Sequence, residues 1–205
     1  MQHPNNKMQV ERLLFFSDAV IAIAITLLII EIKPPHLGGH AEPEENIRSL
    51  IPKFIAFLIS FFVIAIYWKA HHHLFGFITT YSDKLIWINT FFLLSIVVMP
   101  FSSALYSENF GIDAAYAVYC INIILTGVLN CWLVRCISAA KPAIATVAGN
   151  KQFRTYYMLR GLIPPLVFLI SLLVSYWSPT LSRICFMLIF PFIALAKRRY
   201  GKFEG

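Results

Sequence analysis

The sequence is poor in charge: Asp, Glu, Lys and Arg make up 13% of its 205 residues, while 59% are hydrophobic and the mean hydropathy is +0.71. So little polar surface cannot cover a water-soluble fold, and the apolar residues gather in runs close to the ~20 needed to cross a ~30 Å hydrocarbon layer. Cysteine is scarce too. Cys120, Cys131, Cys136 and Cys185 lie in or beside apolar stretches with no CxxC spacing, which argues for small buried hydrophobes against a disulfide framework or thiolate site. No G-x-S-x-G surrounds a nucleophile and no span carries regularly spaced arginines, so neither an intramembrane hydrolase nor an arginine voltage sensor is indicated. Alternating ten-residue strands are missing, which excludes a transmembrane barrel.

What is present is a series of six apolar runs: Leu13 to Ile32, Leu50 to Trp68, Leu85 to Leu105, Ala114 to Leu133, Tyr157 to Trp177 and Leu181 to Ala196. They predict an all-α, polytopic membrane protein with six transmembrane helices, residues 1–205 forming a single domain. The first run is too long, and too poor in small-residue cleavage signals, for a removable leader, and is expected to be retained. The sixth is short and holds Pro191, and Pro100, Pro164 and Pro165 are expected to kink the third and fifth.

The formal charge of +7 invites a nucleic-acid reading, but its distribution follows the membrane. With both termini cytoplasmic, the inner segments hold thirteen basic and four acidic residues, net +9. The outer segments hold four basic and six acidic residues, net −2. Lys and Arg accumulate on the cytoplasmic side of membrane proteins, so the excess is a topology signal and no nucleic-acid partner is expected. The inner stretch from Arg135 to Arg160 reads as interfacial, facing anionic headgroups, with a turn at Gly149 and Asn150. Outside, Glu31, Glu42, Glu44 and Glu45 read as a solvated loop that could also raise the local cation concentration.

The first run contains neither Gly nor Pro, and predicts one straight helix. At about 100° per residue Ile23, Leu27 and Ile30 fall within about 60° of one another, with Ala19 and Thr26 on a flank. Asp18, about one turn inside the apolar run, sits where an ionisable group is costly and by default functional. It lies about 140° from Ile23 on the same wheel and should point into the protein. The second run ends in Trp68, Lys69, Ala70, His71, His72 and His73 at the same membrane level. Consecutive histidines on a helix diverge, and no carboxylate or cysteine completes a tetrahedral set nearby, so no metal and no cofactor are expected. One imidazole is expected to pair with Asp18 and give the inner mouth a pH-sensitive contact.

Arg12-Leu13-Leu14-Phe15-Phe16-Ser17-Asp18 fits the pattern R-x-x-x-F-S-D at the start of a first membrane span. It resembles the prokaryotic branch of the transmembrane protein 175 family, the endolysosomal potassium channels. Trp68, His71, His72 and Phe75, then Asn89, then Leu93-Leu94 and Met99-Pro100-Phe101, extend the likeness through the first half of the chain. The resemblance implies a potassium-selective, leak-like channel in the cell membrane, a homotetramer with the first helix lining a central pore, and no T-V-G-Y-G filter, a run the sequence does not contain. It implies a hydrophobic constriction at Ile23, Leu27 and Ile30, with Thr26 beside it. It also implies a cytoplasmic-side structural network drawn from Arg12, Phe16, Ser17, Asp18, Trp68, His71 and His72. Lipid is the other expected partner, and K+ the permeant ion. A secondary transporter and a proton-permeable cation pathway remain alternatives. The unmatched prolines speak against the inverted repeats of transporters.

Overall fold

The computed structural model describes residues 4–33, 47–48, 50–80, 82–142 and 144–200. Helix α1 spans Pro4–Ile30, α2 Leu50–Phe75, α3 Asp83–Val97, α4 Met99–Glu108, α5 Asp113–Ser138, α6 Lys151–Ser175, α7 Pro179–Ile184 and α8 Ile189–Tyr200. Taken with their breaks, these make six helices long and apolar enough to cross a membrane among the described residues, over Met8–Ile30, Leu50–Phe75, Asp83–Glu108, Asp113–Ser138, Lys151–Ser175 and Pro179–Arg199. The acidic loop residues Glu42, Glu44 and Glu45 lie outside the described residues.

The first helix is present as one unbroken helix, and it begins nine residues earlier than its apolar run. The third span is two helices. Pro100 has no N–H to donate, so the chain closes α3 with the Val98 N–H on the Leu94 carbonyl at 3.1 Å and starts α4 with Pro100 in its first turn, where no donor is required. The sixth span is also broken, by a 3₁₀ turn over Cys185–Leu188 between α7 and α8. Pro164 and Pro165, by contrast, stand inside a helix that continues through both.

The Arg135–Arg160 stretch differs from its interfacial reading. Arg135 belongs to α5, while Lys151, Arg154 and Arg160 belong to α6, and Arg160 is buried. What remains is a connection from Ala139 to Asn150, and Gly149, at φ +78°, makes its turn. Its Ile144 carbonyl accepts the Thr79 N–H at 2.9 Å and its Thr146 N–H donates to the Phe77 carbonyl at 2.9 Å, so it is stitched to the α2–α3 connection.

Helices α5 and α6 make the most extensive packing, and small residues permit it. A Cβ on Gly127 would lie 2.5 Å from Cγ of Pro165 and 2.6 Å from the Tyr67 hydroxyl. A Cβ on Gly161 would lie 2.6 Å from Nδ2 of Asn130. Buried polar groups pair across the core: Ser60 lies 2.9 Å from Ser103 and 3.0 Å from the Tyr119 hydroxyl, and Asn122 donates to Ser102 at 3.1 Å. In hydrocarbon an unpaired polar group is costly, so such bonds fix which helices meet.

Candidate functional site: the two faces of the first helix

Helix α1 packs on α2, α3 and α4 along one face. Val10, Ser17, Ile21, Ala24 and Leu28 are buried there at intervals of three, four and seven, the spacing of a single helical seam. The seam centres about 130° from Ile23 at about 100° per residue. Ile23 and Ile30, 59% and 66% exposed, therefore project away from the protomer, with Leu27 between them at 39%. Thr26 is exposed on the same side, and its hydroxyl donates to the Ile23 carbonyl at 2.8 Å.

At the middle of this helix, on its buried face, a polar chain crosses from α1 to α3 to α2. The Ser17 hydroxyl donates to the Leu13 carbonyl at 2.9 Å, so its oxygen is left to accept, and Asn89 Nδ2 donates to it at 2.9 Å. That fixes the orientation of the Asn89 amide. Its Oδ1 lies 2.8 Å from His71 Nε2 and can only accept, so His71 carries its proton on Nε2. Ser17, Asn89 and His71 are fully buried. The imidazole is held between two rings: Phe75 stacks on it at 4.0 Å between centroids, and Phe92 at 5.5 Å, 6° from parallel.

A second contact set lies beside the first and nearer the surface. Trp68 Nε1–H donates to Asp18 Oδ1 at 2.9 Å, and His72 Nδ1 lies 3.8 Å from Asp18 Oδ2. Asp18 is thus turned towards α2, and of the three histidines His72 is the one that meets it. His71 is committed to Asn89 instead. Arg12 and Phe16 fall outside both sets in a single protomer: Arg12 is exposed, and Phe16 is 57% exposed. Neighbouring residues on α1 point about 100° apart, so Phe16 cannot share the direction of Ser17. Asn89 is the hub, and the sequence marked it only as one of the residues that carry the family likeness, with no contact assigned to it. Among the described residues no cluster of three His, Cys, Asp or Glu side chains is arranged to hold a metal.

Residues 12–100, which contain the exposed stripe, all of the buried seam but Val10, and both contact sets, match the family model described as the endosomal/lysosomal potassium channel TMEM175. A potassium channel of a Chryseobacterium species is 31% identical over 57% of this chain and 59% of its own length. A Streptomyces collinus potassium channel is 35% identical over 49% of this chain and 48% of its own. The human endosomal/lysosomal proton channel TMEM175 is 24% identical over 60% of this chain and 25% of its own. The chain therefore spans about half the length of the curated bacterial relatives it matches. Over the whole fold it is similar to the crystal structure of a lysosomal potassium-selective channel TMEM175 homolog from Chamaesiphon minutus. That likeness has a TM-score of 0.79, with 26% identity over 92% of this chain and 98% of that one. The R-x-x-x-F-S-D helix with its partners on α2 and α3, and the six-span architecture over nearly the whole chain, make this protein similar to prokaryotic members of the TMEM175 family.

Proposed function

We propose that the chain is a potassium-permeable, leak-like cation channel of the plasma membrane, in which α1 from four copies lines one central pore. The observation that carries this reading is the exposed apolar stripe of Ile23, Leu27 and Ile30 on a helix whose opposite face is tightly buried. Around a fourfold axis the stripe becomes three stacked apolar rings, which block ions by dewetting when narrow and pass them when widened. Thr26 flanks the rings. The contacts of Ser17 and Asp18 then act as the fixed support that sets the rotation of the pore helix. Both termini are cytoplasmic, which places Lys and Arg on the inner face.

Potassium flux into liposomes tests the assignment. Ile23→Asn and Ile23→Gly raise conductance or relax selectivity if Ile23 is a constriction, and unchanged flux removes it from that role. The human relative is named a proton channel, which favours proton permeation as a second reading. A pH-sensitive dye in the same liposomes separates the two. Unitary currents in planar bilayers distinguish a channel from a transporter.

A further inference from the structure

We propose that the groove between α2 and the broken sixth span is a binding site for one phospholipid, its phosphate on Arg183 and one acyl chain lying along α2. The groove encloses about 610 Å³, well inside the roughly 300–1,000 Å³ typical of ligand sites. It is reached at the end of the molecule where α2 and α7 begin and α4 ends.

Its shape suits a chain more than a compact ligand. Along α2 it is lined from Pro52 to Ile66, a rise of about 21 Å at about 1.5 Å per residue, which is more than half of the ~30 Å hydrocarbon layer. Ile59 and Phe62 line the α2 wall; Phe186 and Phe190 line the other. Phe62 meets Phe190 edge-on at 6.0 Å between centroids. The opposite wall includes the 3₁₀ turn Cys185–Leu188, which contributes Phe186 and Met187 to the lining.

Charge is confined to one end. Thr180, Ser182 and Arg183 line the groove at its α7 end, and among the described residues Arg183 brings the only formal charge in the lining. Its guanidinium stands 3.9 Å over the Phe110 ring and hydrogen-bonds the Tyr106 hydroxyl, which together position the charge at the mouth; a guanidinium has five N–H donors, so others remain to meet a phosphate. A cation at a headgroup-level mouth above an apolar trough about 21 Å deep complements a phospholipid at both ends. A neighbouring protein helix would cover the apolar walls without answering the charge.

The proposal does not depend on ion conduction. Native mass spectrometry of the full chain, delipidated in detergent and titrated with phosphatidylglycerol, is expected to show one tightly bound lipid per protomer. Arg183→Ala weakens that binding about fivefold or more, the effect of one cationic side chain at a lipid surface, and Arg183→Lys restores most of it. Met187→Trp fills the trough and removes the bound lipid while the assembly and its melting temperature persist. Binding that is unchanged in both Arg183→Ala and Met187→Trp overturns the proposal. So does a Met187→Trp protein that loses its oligomeric state and no lipid, which would make the groove a contact between copies.

Discussion

Asn89 Nδ2 donates to Ser17 Oγ at 2.9 Å across 72 positions of sequence, and with its carbonyl already on His71 this amide joins α1, α2 and α3 at one point. Ser17 and the apolar stripe share one helix. Any rotation of α1 about its axis that moved Ile23 would also move Ser17 off Asn89, so the bond sets the angle at which the stripe is presented.

Asn89→Ala is therefore expected to destabilise the protein by about 1–3 kcal/mol, because it leaves the buried His71 Nε2–H without its acceptor and removes the donor to Ser17. Ser17→Ala should cost less, since the Ser17 hydroxyl already has the Leu13 carbonyl and its loss orphans one Asn89 N–H alone. Thermal unfolding of the purified variants in one detergent compares the two. A larger loss for Ser17→Ala would refute the hub role of Asn89.

The Asp18 contacts are predicted to be unequal. The Trp68 N–H lies at 2.9 Å, whereas the His72 contact is long, at 3.8 Å, and its side chains are 53% and 31% exposed. Trp68→Phe should lower stability by about 1 kcal/mol, and His72→Ala by no more than a few tenths. The same melting experiment decides it, and a His72→Ala loss as large as that of Trp68→Phe would show a stronger ion pair than the geometry implies.

Cysteine substitution along residues 19–30 is expected to give a periodic pattern. Ile23, Thr26, Leu27 and Ile30 positions should react with a small water-soluble thiol reagent in the assembled protein, while Ile21, Ala24 and Leu28 stay protected in their seam. Cross-linking of Leu27→Cys between copies would further support the axis. No reactivity on the exposed face would place that face against lipid, and uniform reactivity would refute the protected seam.

Gly127→Val should be among the most damaging single changes, costing more than about 2 kcal/mol, because overpacking at a close helix contact forces backbone shifts. The added carbons would strike Pro165 and Tyr67 on two other helices. Gly149→Ala meets nothing within 4 Å and strains only its φ of +78°, so about 1 kcal/mol is expected. Expression level and melting temperature of the pair provide the check.

Six helices were legible in the sequence because hydropathy is local: a run of apolar residues must find lipid or core wherever it stands. The stripe of Ile23, Leu27 and Ile30 was legible for the same reason, since helical geometry alone puts three such positions on one side. Pro100 announced the break in the third span, as it removes a donor that no neighbour can replace. The histidines were not legible. His71 and His72 are adjacent and chemically identical, and which one meets Asp18 depends on how α2 is rotated against α1 and α3.

Arg160 makes the same point from the opposite direction. By sequence it belongs to a basic stretch at the inner membrane surface, yet it lies inside α6 and is buried, because α6 starts at Lys151 and turns that side towards its neighbours. Sequence by itself determined the solvent, the number of spans and the spacing of residues along each helix, all of which depend on contacts within a few residues. Only the tertiary structure decided the azimuth of each helix, and with it the pairing of Ser17 with Asn89, His71 with Asn89 and Trp68 with Asp18. Azimuth is set by side chains tens of residues apart packing at once, and no local pattern encodes that sum.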